Sequence, residues 1–169
     1  MKAVHMVSVQ STPVVTLHIG TNQTTVTRVM DGAADIQVVL KLGSVKTAKD
    51  FFKHAPPTPL ELENAIMAVE DEVMLARSLA TQPCSLRGTD SSLRGITLPA
   101  GASARYSMQL SAEDVEQQFD LLAALIMGRP ASSAGVPVDS GFAAALLILR
   151  EFMHHLKFSQ ISIEPSSAQ

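Results

Sequence analysis

The residues best suited to chemistry lie where two alternating, β-branched runs meet. Val14 to Gly20 and Thr24 to Met30 both read as strands, and His18-Ile19-Gly20-Thr21-Asn22-Gln23-Thr24 joins them. Small and polar residues at a hairpin let backbone N–H groups close on an anion, with the Thr21 and Thr24 hydroxyls as further donors. The competing interpretation is a plain hairpin in which Asn22 takes the positive φ. A second candidate is Gly88-Thr89-Asp90-Ser91-Ser92, flanked by Arg87 and Arg94 and leading into a short helix. Gly88, Thr89 and Ser91 there can meet a phosphate at the helix N-terminus, where free N–H groups and the dipole favour negative charge. Asp90 opposes an anion, and Asp90 or Ser91 serves equally well as a simple helix cap.

Other reactive residue types are poorly placed. His18 reads either as a metal ligand or as a half-exposed strand histidine, and no acidic residue lies within ten positions before it. His154 and His155 are adjacent on a helix and point roughly 100° apart, so they are not the i, i+4 pair of a helical metal site; they read as ordinary surface histidines near a helix end. Cys84, the single cysteine, has no neighbouring His or Lys in sequence to lower its pKa and reads as a packed thiol. Glu70-Asp71-Glu72 and Glu113-Asp114 fall on helix faces or first turns, as solvated charge does. Ser111 and the serines near 132 have no recognisable base, so no nucleophilic triad and no catalytic residue are assigned.

The elements that must hold these residues follow from periodicity. Asp35 to Leu42 is a third strand, joined to the second through Asp31-Gly32, a strong hairpin dipeptide. The opening is therefore an antiparallel three-strand meander. Ser44 to Lys53 predicts a short helix ended by Pro56-Pro57. Thr58-Pro59-Leu60-Glu61 then combines an N-cap, a proline at the first helical position and a capping box. The helix beyond buries Leu62, Ala65, Ile66, Val69, Val73 and Ala76 along one stripe. Pro83 to Leu86 predicts a short buried strand, and Pro99 to Ala102 a loop. Ser111 with Asp114 starts a second long helix that Gly128-Arg129-Pro130 ends. Asp139 or Ser140 caps a third, Gly141 to Lys157, apolar around most of its circumference. Ile161 and Ile163 alternate in a last strand. Helices packed on a mixed sheet follow, an α/β fold.

Composition narrows the function classes. The chain has 169 residues, 46% apolar and 17% charged, with a net charge of −3, as globular domains do. Lysine and arginine total 13 with no basic run, which argues against nucleic acid or an anionic membrane surface. No signal peptide is recognised at the N-terminus, and Phe142 to Leu149 is too short to span a bilayer. A cytoplasmic protein is expected, one domain over 1–169 with its core at 14–163 and short flexible ends.

Five stretches taken in order resemble the exopolyphosphatase and guanosine pentaphosphate phosphatase family. Leu17-His18-Ile19-Gly20-Thr21-Asn22-Gln23-Thr24 stands at the place of its Asp-Ile-Gly-Gly-Gly-Ser-Thr hairpin. Leu40-Lys41-Leu42-Gly43-Ser44-Val45 is similar to its Leu-Gly-Ser-Val segment. Phe51-Phe52 with Pro56-Pro57-Thr58-Pro59 resembles its helix start, Gly88-Thr89-Asp90-Ser91-Ser92-Leu93 its Gly-Thr-Ala-Thr-Thr-Leu loop, and Val136-Pro137 to Ile163 its closing segment. The resemblance covers Val14 to Ile163 and implies a single actin-like (ribonuclease H-like) domain, the second of the family's two.

The departures carry as much. His18 replaces the family's metal-organising aspartate, Thr25 its glutamate, and only Gly20 of its three glycines remains. The family's general base lies in the first domain. The resemblance thus implies a non-catalytic phosphate- or nucleotide-binding or assembly domain, with Gly20, Thr21, Asn22, Gln23, Thr24, Gly88, Thr89 and Ser91 as ligand contacts. The alternative is a subunit of a phosphoanhydride hydrolase, acting on polyphosphate or guanosine pentaphosphate, completed by a first-domain partner or a homodimer. No cofactor is identified: magnesium comes with the resemblance, and His18 stands against it.

Overall fold

The computed structural model describes residues 12–30, 32–97 and 107–164, the side chains of Ser91 and Thr97 excepted. Asp31 and the Pro99–Ala102 loop lie outside the described residues. The three opening strands form as the alternation predicts: β1 (Val14–Ile19), β2 (Thr24–Val29) and β3 (Ile36–Leu40) pair antiparallel in sequence order. Helices α1 (Ser44–Phe51) and α2 (Pro59–Val73) follow, then β4 (Ser85–Gly88), α3 (Ser91–Thr97), β5 (Met108–Ser111), α4 (Ala112–Ile126), α5 (Ser140–Leu156) and β6 (Gln160–Ile163). The strands form one mixed sheet in the order β3-β2-β1-β4-β6-β5. β1, β4 and β6 run parallel, and β5 closes the far edge antiparallel to β6.

The period-two pattern places one face of the sheet in the core. Val15, Leu86 and Ile161 form one row across β1, β4 and β6, and Leu17, Gly88 and Ile163 the next. All of these residues are buried. Helix α5 lies at the centre of the helical layer and touches α1, α2, α3 and α4. Ala143 through Leu149 are buried without interruption, the outcome expected of a helix apolar all round. The opposite face of the sheet carries Thr16, His18, Thr25, Thr27 and Arg87, half-buried or exposed.

Helix starts follow their caps. Asp139 Oδ1 accepts from Phe142 N–H at 2.7 Å, and Ser111 and Asp114 form a reciprocal capping box at α4. At α2, Thr58 and Glu61 do the same. Hydrogen bonds from the Thr58 N–H, above all, and from His54 and the Lys53 N–H lower the Glu61 carboxyl to about 2, against the opposing effect of desolvation. A folded pKa below the unfolded one means stability that is present above about 4.5 and disappears as pH falls toward 2. The difference in Tm between the native protein and Glu61→Gln should therefore shrink through that window; thermal melts at stepped pH check it, and a constant difference refutes it.

Two sequence expectations need correction. The strand predicted over Pro83 to Leu86 runs instead from Ser85 to Gly88, because Pro83 has no N–H to offer and pairing begins where Ser85 N–H donates to Pro13 C=O at 2.9 Å. β5 has no counterpart in the sequence reading: it is a four-residue edge strand whose half-buried residues show weak alternation.

Candidate functional site

The first hairpin is a four-residue loop, Gly20 to Gln23, closed by Gly20 N–H donating to Gln23 C=O at 2.9 Å. Two of its carbonyls face α1. Gly20 C=O accepts from Ser44 N–H at 2.9 Å, and Thr21 C=O accepts from Val45 and Lys46 N–H at 3.0 and 2.9 Å. These are N–H groups of the first helical turn that have no partner within the helix itself. The hairpin thus caps α1 with backbone, in place of the missing side-chain cap at Gly43.

That clamp decides where the loop's own donors point. In a trans peptide the C=O and the following N–H are antiparallel, and both cis bonds of the described chain lie elsewhere. With the Gly20 and Thr21 carbonyls on α1, the N–H groups of Thr21 and Asn22 are turned away from it, toward solvent. Neither donates to any protein group among the described residues. The positive end of α1 polarises the same two peptides. Positive φ is not used: among the described residues only Lys157 of the non-glycines adopts it. The competing interpretation, a plain hairpin with Asn22 at positive φ, is corrected in that detail, since the α1 contacts shape the loop instead.

Gly43 makes the clamp possible. Its backbone is extended (φ −156°), a conformation open to any residue, so the requirement is space. A Cβ there would sit 2.4 Å from Thr21 O and 2.6 Å from Asn22 N. The Leu-Gly-Ser segment therefore matters as the seat of the hairpin.

Asp90 ties the neighbouring loop to the same end of the sheet. Pairing of β1 with β4 stops at Leu17 and Gly88. Beyond it, Asp90 Oδ2 accepts from Ile19 N–H at 2.9 Å, and Oδ1 caps α3 by accepting from Leu93 N–H at 3.1 Å. Asp90 is 6% exposed. Burial pushes its carboxyl up, against these hydrogen bonds and the nearby His18. The capping role is the one the side chain performs, and its charge is turned inward. Half-exposed His18 lies between loop and hairpin: Nδ1 is 3.4 Å from Thr89 Oγ and 4.0 Å from Asp90 Oδ2, while Nε2 faces Gly20. Hydroxyl and carboxylate thus approach the same ring nitrogen, which is not the geometry of a nucleophile–base–acid triad.

The other proposed contacts separate. Gly20 to Gln23 and exposed Thr89 share the mouth. Thr24 is fully buried, its hydroxyl donating to Leu42 C=O at 2.9 Å. Gly88 is buried as well; a Cβ there would meet Leu93 Cδ1 at 2.4 Å, so its bareness admits α3 onto the sheet. The hydroxyl of Ser91 lies outside the described residues. Cys84 is half-buried, and burial raises its thiol despite nearby Arg28.

Beside the clamp, a cleft of about 700 Å³ opens between α1, α3 and the start of α5. Phe52, Phe142 and Ala145 give it an apolar floor, and Lys49, Asp139 and Ser140 line it with polar groups. Its volume is that of small-molecule sites. The sequence reading singled out neither this cleft nor the α1 clamp, because both depend on contacts between distant segments.

No family model and no curated protein matches this sequence. Solved structures do match in fold. A Ppx/GppA phosphatase from Aquifex aeolicus superposes with a TM-score of 0.72 at 13% identity, over 92% of this chain and 54% of the phosphatase. An exopolyphosphatase-like protein gives 0.70 at 12% identity, over 97% and 57%. An exopolyphosphatase from Cytophaga hutchinsonii gives 0.67 at 13%, over 94% and 55%. The chain spans about half the length of these proteins and shares the fold of that part of them.

Proposed function

We propose that this chain is a phosphate- or nucleotide-binding domain that holds its ligand at the mouth of the first hairpin and does not hydrolyse it unaided. The outward pair of Thr21 and Asn22 N–H groups, fixed by the seat on α1, carries this proposal. Gly20 and Gln23 close the loop, Thr89 reaches the same mouth, and Ser91 remains a proposed contact. Asp90, the carboxylate at this mouth, has an oxygen on each of two backbone N–H groups, so it is poorly placed to activate water.

Titration calorimetry with polyphosphate, guanosine tetraphosphate and ATP, each with and without magnesium, tests the proposal. Heat is expected with at least one of them, and heat with none refutes it. The matched structures, about twice as long as this chain, favour one further reading: a hydrolase subunit whose opposing wall and general base come from a separate chain or a second copy. Sites of that kind close between two bodies. Phosphate release by the purified chain or by such a pair, lost in Gly20→Asp, is the outcome that reading requires.

A further inference from the structure

The mouth of the hairpin is built from donors where a cation site needs acceptors. Divalent magnesium binds through carboxylate and other oxygen ligands. The residue paired with His18 across the β1–β2 hairpin is Thr25, and the neighbouring Asp90 turns both oxygens onto the N–H groups of Ile19 and Leu93. No group of three His, Cys, Asp or Glu residues able to hold a metal ion occurs among the described residues. The residues present do not fit the magnesium that the sequence resemblance brings. They do fit an anion. Thr89 Oγ stands 3.4 Å from Nδ1 of His18, and donation by that hydroxyl would put the ring proton on Nε2, which lies 3.9 Å from where a Gly20 Cβ would be. An imidazole N–H is then available at the residue that opens the loop carrying the Thr21 and Asn22 N–H groups.

From this arrangement we infer that the hairpin mouth binds its phosphate directly, without a divalent cation, and that His18 Nε2 is one of the donors. The inference rests on the proposed function and specifies the chemistry of that same site. His18 takes the place of a metal ion as a partner of the ligand, through a hydrogen bond and not through a charge. The hydrogen bond is charge-assisted on the ligand side, where such bonds are strongest.

Calorimetric titration with inorganic pyrophosphate, in EDTA and again in magnesium, tests this on the native chain, His18→Ala and His18→Asp. The His18 side chain is 51% exposed, and far-UV circular dichroism confirms that each variant is folded. The native chain is expected to bind equally well in both buffers. His18→Ala should bind about tenfold more weakly or worse, the loss of one hydrogen bond to a charged group. His18→Asp should lose binding in EDTA and recover part of it in magnesium. Native binding that disappears in EDTA, or His18→Ala binding at native affinity, overturns the inference while leaving the hairpin site standing. No pyrophosphate binding in either buffer overturns the inference, and no heat with polyphosphate, guanosine tetraphosphate or ATP either overturns the site itself.

Discussion

Gly43→Ala is expected to weaken ligand binding at the hairpin by at least about tenfold, the value of one lost hydrogen bond to a charged group, and to cost about 1–3 kcal/mol of stability, as overpacking does. The added methyl group would stand 2.4 Å from Thr21 O and 2.6 Å from two Asn22 backbone atoms. Backbone cannot rotate aside as a side-chain tip can, so the hairpin must lift from α1. Lifting breaks the hydrogen bonds that Gly20 and Thr21 C=O accept from Ser44, Val45 and Lys46, and with them the fixed direction of the Thr21 and Asn22 N–H groups. Gly95→Ala is the control. Gly95 is an exposed position of α3 with open space where its Cβ would be, and alanine there should stabilise by about 1 kcal/mol through helix propensity. Calorimetry and urea denaturation on both variants separate the outcomes. Native-like binding by Gly43→Ala would remove the hairpin from the site.

Glu151→Ala carries the second large effect, a destabilisation of about 3–5 kcal/mol, the loss on breaking a buried ion pair. Glu151 is 1% exposed on the most buried helix of the fold. Its carboxylate accepts from Arg150 Nη1 at 2.6 Å and lies 3.1 Å from His155 Nε2. Glu116 holds the other side of the guanidinium at 3.0 Å, with the Phe119 ring 4.7 Å from its carbon. Burial disfavours the Arg150 charge, yet Glu151 and Glu116 outweigh it and hold the group above its ordinary value. Removing Glu151 strips the main buried partner from both Arg150 and His155. Glu151→Gln keeps one acceptor and should cost less, about 1–2 kcal/mol. Urea midpoints at unchanged m report both values. An alanine variant within about 1 kcal/mol of native would show that the buried Glu151 carboxylate does not stabilise the fold.

This network also marks where sequence reasoning stopped. His155 reads as an ordinary helix-end histidine beside His154. In the fold only His154 is exposed, while His155 joins Glu151 and comes within 3.7 Å of Glu70 on α2. Glu70-Asp71-Glu72 likewise reads as solvated charge, yet Glu72 accepts from Lys41 N–H at 2.6 Å. Charges on one element find partners on another, and a linear chain does not show which elements meet.

The amino-acid sequence by itself determined the meander, the capped helices, the buried terminal helix and the α/β class. Each is a local matter: strand alternation has period two, helix stripes have period 3.6, and caps act within four residues. It also marked Gly20 to Gln23 and the Gly88 loop as the places to look. Tertiary structure alone decided which of those residues face a ligand. Thr24 and Gly88 turned into the core, and Asp90 became the splice between β1 and α3. The seat of the hairpin on α1 aimed the N–H groups of Thr21 and Asn22 outward. A backbone donor's direction is set by whatever its own peptide carbonyl binds, and here that partner lies more than twenty residues further along the chain.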